Sequence, residues 1–433
     1  MNDLYAKRRE HLLKTMGPGV VIIPSTPIAI RNNDVEHEYR QDSDFFYLTG
    51  FDEPESVLVL SNQHEHKMVL FVRPRDVTRE IWDGPRAGVE GAVRDFGANA
   101  AFTVGELADK LPDYLGNVQR AFYRVGRDRS FDDRFFHALD RVRSRARTGI
   151  STPSEIVDPG VYISEMRLRK SSEELKTMAR ASEITREAHL RAMHVAKPGA
   201  YEYEVEAEII RIFRFHGSER PAYGSIVGSG PNATILHYRK NDRKMQDGDL
   251  LLIDAGAEYG YYASDVTRTF PVNGKFTKEQ RAIYELVLAA QEASINAVRP
   301  GITIDDVHQA SVNVLTQGLL DLGLLKGTFN EAVEKGTYKS FYMHRTSHWL
   351  GMDVHDVGPY FEGGKARPLQ PGFVLTVEPG LYIGKDADVD PKWRGIGVRI
   401  EDDIAVTDTG FANLTSEIPR SVAEIEQILA ERN

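Results

Sequence analysis

The 433-residue sequence contains no cysteine and only three tryptophans. The missing cysteine excludes disulfides, a thiolate nucleophile and structural zinc sites of the cysteine type, and gives no reason to expect an oxidising compartment. No apolar stretch reaches the length of a membrane span, and the opening MNDLYAKRREHLL lacks the apolar core of a signal peptide. A cytoplasmic location without membrane contact is the expectation. Long basic runs are absent too: 54 Lys and Arg face 64 Asp and Glu, a formal charge of −10, so nucleic acid is not expected as a partner. What remains is a chain, 41% hydrophobic, long enough to bury a sizeable core in two or more domains.

The stretch that organises the chain is Gly248 to Phe270, GDLLLIDAGAEYGYYASDVTRTF. Asp254 ends an apolar strand-like run, and Gly256 marks a turn. Ser264 to Phe270 alternates like a second strand, with Asp265, Thr267 and Thr269 on one face. A hairpin of these two runs brings two carboxylates together in an apolar setting, where a cation is the natural resolution. The construction recurs: Gly372 to Gly380, GFVLTVEPG, matches Gly248 to Gly256, GDLLLIDAG, with Glu378 in the place of Asp254. A run from Gly397 to Val406 then carries Glu401 as the earlier one carries Asp265, with Arg399 two residues before it on the same strand face. Two related carboxylate pairs and one histidine form a plausible cage for two metal ions.

The chain before this region, to about residue 150, mixes short strands (Val20 to Ile23, Ser56 to Leu60, Met68 to Val72) with helices (Leu107 to Leu115, Phe131 to Val142), as an α/β domain does. Arg143 to Pro159 reads as a linker or surface crossing. From Ser171 the texture changes. Capping boxes at Ser171–Glu174 and Thr277–Gln280 open long helices that stop at Lys197-Pro-Gly199 and Arg299-Pro-Gly301. Each is followed by a second helix, Glu202 to about Phe215 and one from near Asp305. The expected division is an N-terminal domain with linker at 1–170 and, at 171–433, a duplicated α+β catalytic domain with its site in the seam.

Three histidines, His344, His348 and His355, fall within twelve residues, and His237 supplies a fourth. At i and i+4, His344 and His348 taken singly would be core residues of a helix. Beside the repeated carboxylates, an imidazole completing an oxygen-rich site is the better account.

In the phrases IDAG, SDVTRTF, HxxxHWLGxDVHDVG, LTVEPG and GVRIEDD, the order Asp254, Asp265, His348, Glu378, Glu401 resembles the pita-bread metallopeptidases, the family of methionine aminopeptidase, prolidase and aminopeptidase P. The phrase Tyr39 to Leu60 is similar to the N-terminal domain of the aminopeptidase P branch. The resemblance implies a creatinase-like α/β domain ahead of a pita-bread domain. It implies that Asp254, Asp265 and Glu401 chelate or bridge two divalent ions, most often manganese, with cobalt or zinc permitted, and that His348 and Glu378 bind one of them. Glu378 would move protons, and His355 and His344 would donate to the scissile carbonyl. His237, Tyr382 and Arg399 would wall the pocket for proline. Asp34 and Trp82 would stand near the entrance, and Arg147 would reach a neighbouring subunit of a homodimer or homotetramer. For Trp82 alone core packing is the simpler reading, and for Arg147 a solvated charge. The implied activity is removal of an N-terminal residue that precedes proline. Prolidase, which shares the ligands but cleaves dipeptides, and a non-catalytic peptide-binding relative are the alternatives; a metal-free creatinase-like enzyme does not suit five retained ligands.

Overall fold

The computed structural model describes residues 2–432, which form two compact units that meet in sequence between Glu165 and Met166. In the first unit six strands make one mixed sheet: β1 (Val20–Pro24), β2 (Val57–Ser61), β3 (Met68–Val72), β4 (Ala100–Thr103), β5 (Arg120–Phe122) and β6 (Glu155–Val157), in the order β4-β3-β2-β1-β5-β6. β2 and β3 pair as the antiparallel hairpin that their flanking polar turn implies. Helix Arg129–Ser144 buries Phe131, Phe135, Ala138, Leu139 and Val142, a 3.6-residue stripe, and Asp128 caps it by accepting from the Ser130 and Phe131 amides. That stripe packs on Val20, Ile22, Val57 and Val59 of the sheet; truncating the fully buried Phe135 would cost about 3–5 kcal/mol.

One expectation fails here. Arg143 to Pro159 is not merely a linker, because Glu155–Val157 is the edge strand of the sheet, parallel to β5, and helix Gly160–Leu168 follows it. An edge strand with a half-exposed face needs no apolar run, so its pattern was silent.

The second unit is built twice. Helices α1 (Ser172–Val195) and α2 (Glu202–Phe215) answer to α3 (Lys278–Ala297) and α4 (Ile304–Asp321). Both capping boxes form: Ser171 and Glu174 exchange contacts at 2.9 and 3.3 Å, Thr277 and Gln280 at 3.0 and 3.2 Å. Gly199 and Gly301 end the first helix of each half at φ +92° and +90°, a left-handed conformation that glycine adopts without steric cost. Ile184, Ile209 and Ile253 of the first half share one core with Ile283, Leu315 and Leu381 of the second.

The strands differ from the simple hairpins expected. β7 (Leu250–Asp254) and β8 (Thr267–Pro271) pair antiparallel with Asp254 opposite Thr267. Between them the chain leaves to form a small sheet through Ala257–Tyr259 and Tyr262–Ala263, so Asp265 lies outside the ladder. In the second half the run is broken again: β9 (Val374–Val377) pairs β12 (Asp402–Val406), while β10 (Gly380–Ile383) pairs β11 (Ile396–Arg399). Arg399 therefore ends one strand, and Glu401 sits in the break before the next, not on a shared strand face. Gly256 makes no left-handed turn; a Cβ there would run into the Ser264 carbonyl, so close approach of the returning chain is what demands glycine. Asp254 ends its strand and the other three carboxylates lie between strands, where side chains escape the alternation of the sheet.

Candidate active site

The seam between the halves encloses a cavity of about 610 Å³ lined by Asp254, Asp265, Glu378, Glu401, His344, His348, His355, His237 and Arg399. Asp265, His348 and Glu401 each offer a ligand atom within 4.8 Å of the others. Asp254 faces the same space but donates nothing to that trio here: its Oδ2 accepts from Arg399 Nη2 at 2.5 Å. Asp254 is thus salt-bridged to Arg399 while it lines the cavity. Glu378 approaches His348 Nε2 at 3.6 Å and His344 Nδ1 at 3.8 Å.

Four buried carboxyl groups in one seam cannot all ionise unaided. Burial, with the Asp265 and Asp254 charges adding to it against the pull of His348 and Arg399, pushes Glu378 up to about 8. Glu401 is held well above the carboxylate range by burial and then by Asp265, Glu378 and Asp254. Asp254 is raised by burial despite Arg399. For His348 burial works downward, yet the hydrogen bond to Asp265 and the Glu378 charge outweigh it and hold the ring up at about 9. The imidazolium thus stands in for missing positive charge. Hard oxygen donors plus one imidazole, short of positive charge, fit divalent cations of the manganese, cobalt or zinc kind.

His348 is presented for that task by its backbone. The irregular segment 346–350 runs beside β9, with Thr376 N donating to the His348 carbonyl at 3.0 Å and Leu350 N to Val374 at 3.0 Å. It is not the helix that the i, i+4 spacing of His344 and His348 suggested. The Trp349 carbonyl accepts from His348 Nδ1 at 3.0 Å, which turns Nε2 toward Asp265 and Glu378.

His344 is placed differently from expectation. Burial first, then Arg399, depresses it to about 3, so the ring is neutral with a single N–H. Nδ1 donates that proton to the Arg345 carbonyl at 2.8 Å, and Nε2 accepts from the Tyr382 hydroxyl at 2.9 Å. Tyr382 in turn accepts from Arg399 Nη1 at 3.0 Å. With both nitrogens committed, His344 has no N–H left for a substrate carbonyl; it orients Tyr382 instead. His355 is exposed to the cavity, stacks edge-on against His348 with ring centres 4.4 Å apart, and has no hydrogen-bond partner among the described residues.

Sequence reasoning missed several residues that hold this arrangement. The Tyr223 hydroxyl lies 2.7 Å from Asp254 and 2.5 Å from Asp265. A phenol has one proton, so both contacts are hydrogen bonds only if one carboxyl is protonated, the direction in which Asp254 is shifted. Thr267 donates to Glu401 at 2.7 Å and accepts from Arg399 Nε at 3.0 Å. Fully buried Arg268 donates to the Glu401 carbonyl at 2.6 Å and pairs with fully buried Asp402 at 2.7 Å. Asp356, next to His355, accepts from Arg167 at 2.5 Å and Lys170 at 3.0 Å, all three side chains nearly solvent-free. His189, a polar residue on the buried face of α1, was the one legible signal; Tyr223 in PAYGS gave none.

Asp34, Trp82 and Arg147 belong to the first unit, and all are exposed. Trp82 is 81% exposed, on helix Val77–Asp83, in which no residue is buried; core packing is excluded for it.

Residues 176–408 match the family model of metallopeptidase family M24, and residues 5–123 match that of the aminopeptidase P N-terminal domain. The chain is 46% identical to Xaa-Pro aminopeptidase of Escherichia coli over 98% of its own length and 97% of that protein. It is 34% identical to human Xaa-Pro aminopeptidase 3, over 95% of this chain and 81% of the other. Among solved structures, aminopeptidase PepP of Pseudomonas aeruginosa matches with a TM-score of 0.99 at 50% identity, covering 100% of this chain and 98% of that one. Escherichia coli aminopeptidase P in complex with substrate matches at 0.97 and 45%, again over 100% and 98%. Since one model spans more than half the residues and relatives align nearly end to end, the chain belongs to metallopeptidase family M24, with a pita-bread domain behind an aminopeptidase P N-terminal domain.

Proposed function

We propose that this protein is a dinuclear metallo-aminopeptidase that releases the N-terminal residue of peptides with proline in second position. The observation that carries the reading is the meeting of Asp254, Asp265, His348, Glu378 and Glu401 on one cavity, in a chain alike over nearly its whole length to Xaa-Pro aminopeptidases. These five residues would hold two divalent ions, manganese in the first instance, with cobalt or zinc as substitutes. When bound, such ions would supply Lewis acidity that lowers the pKa of a water in the site.

The chain's own groups do the rest. The acidic floor attracts the substrate's free α-amine, which favours an exopeptidase. Ionised Glu378 accepts a proton from the attacking water and returns it to the leaving nitrogen. His355 donates to the oxyanion that develops on the first residue's carbonyl, a contact worth about 2.7–4 kcal/mol for one well-placed donor. His237 and the Tyr382–Arg399 pair enclose the ring. Proline has no N–H and restricts the residue before it, so a site shaped to it is needed. Asp34 and Trp82 would stand near the entrance of the site, and Arg147 would reach the site of a neighbouring subunit in a homodimer or homotetramer.

The test is kcat/KM for Arg-Pro-Pro, Arg-Pro and Arg-Ala-Pro after manganese is returned to chelated protein. Arg-Pro-Pro should lead and Arg-Ala-Pro should trail far behind. A preference for Arg-Pro would make the protein an Xaa-Pro dipeptidase, and no hydrolysis at verified metal content would make it a binding module.

A further inference from the structure

The cavity carries its charge in two layers. Asp254, Asp265, Glu378 and Glu401 form a buried acidic floor, whereas Arg239, Arg345 and Asp305 line the solvent side. Arg345 is already paired with Asp305, both side chains being substantially exposed at 56% and 44%. Arg239 is exposed and has neither an ion pair nor a hydrogen bond among the described residues. Its side chain lies across Gly224: a Cβ placed there would meet Arg239 Cδ at 3.5 Å and Nε at 3.6 Å. Gly224 follows Tyr223, whose hydroxyl rests on Asp254 and Asp265. An unpaired guanidinium is thus laid along the wall that rises directly from the floor.

This polarity matches a peptide's own. The buried floor takes the amine end of the substrate, and a carboxylate carried one residue beyond proline, further toward solvent, meets the rim where Arg239 lies. Resting on the aminopeptidase reading above, we propose that Arg239 is a specificity residue that binds a carboxylate on the third residue of the substrate, whether the α-carboxylate of a tripeptide or an acidic side chain. The planar guanidinium offers that group paired donors.

Two matched pairs of substrates separate the sources of the carboxylate. Ala-Pro-Ala as free acid against its C-terminal amide reports on the α-carboxylate, and Ala-Pro-Glu-amide against Ala-Pro-Gln-amide reports on the side chain. Each is assayed with metal-replete wild type, Arg239→Gln, Arg239→Lys and, for comparison, Arg345→Gln. In wild type at least one pair should favour the charged member. Arg239→Gln should lower that ratio about tenfold, the size of one charge-assisted hydrogen bond, through KM and not kcat. Arg239→Lys should keep most of it. A ratio unchanged in Arg239→Gln, or lost only in Arg345→Gln, overturns the assignment. Cleavage with unaltered ratios leaves the peptidase reading standing, whereas failure to cleave any of the four peptides at verified metal content sinks both.

Discussion

His189 and Gln291 hold equivalent posts in the two halves of the catalytic unit. His189, fully buried on α1, donates from Nε2 to the carbonyl of Ala255 at 3.0 Å, the residue after Asp254. Gln291, fully buried on α3, donates to the carboxylate of Asp402 at 3.2 Å, the residue after Glu401. The two lie as far apart in sequence as the Pro-Gly stops that end their helices. In each half the first helix therefore holds the residue just beyond a carboxylate that faces the cavity, by its backbone carbonyl at Ala255 and by its side chain at Asp402.

His189→Leu removes one grip without adding bulk, and should weaken manganese binding by about tenfold, the lower end of what lost support behind a ligand costs. His189→Gln, which restores a donor of the kind used in the other half, should recover most of it. Titration calorimetry on the three proteins checks this; equal affinities would mean that the helix grip does not position the ligands.

Metal binding should release protons at pH 7. In the metal-free arrangement Glu378 is held up at about 8 and His348 at about 9, with Glu401 raised as well, and each must give up its proton to act as a ligand. The observed binding enthalpy should therefore vary with the ionisation enthalpy of the buffer. A buffer-independent enthalpy would show that the site is already deprotonated.

His355 and Asp356 are neighbours with separable roles. His355→Ala should lower kcat about 10²- to 10³-fold with metal content intact, because the ring is a free donor and not a ligand. Asp356→Ala should instead cost about 3–5 kcal/mol of stability, since it strands Arg167 and Lys170 in the interior. Elemental analysis and urea unfolding distinguish them, and metal loss in His355→Ala would reassign that residue.

Stability of the metal-replete protein should decline as pH falls from 6.5 toward 4. Burial depresses His189 to about 4, with a smaller push from Arg268, and depresses His308 to about 4 with help from Arg345. Both rings stay neutral in the fold while the unfolded chain takes up protons below its ordinary value of 6.5. The stabilisation is therefore complete above that pH and is lost on the way down, by about 3 kcal/mol for fully buried His189. Urea midpoints at pH 7, 5.5 and 4.5 should fall in wild type and fall less in His189→Leu.

The sequence by itself determined what local pattern and repetition encode. Capping boxes, Pro-Gly stops and apolar stripes read out helices because each depends on residues within one or two turns. The duplication exposed the two carboxylate pairs, since Glu378 repeats the setting of Asp254. The histidine cluster and the family resemblance followed from the same short phrases. What tertiary structure alone decided is which groups face one another across the seam. Tyr223 meets Asp265 from 42 residues away and Arg399 meets Asp254 from 145, distances over which no periodicity speaks. The break between Arg399 and Glu401 arises because the chain changes sheets there. The tautomer that turns His344 from donor to support for Tyr382 depends on a backbone carbonyl and on burial, and neither exists before the chain has folded.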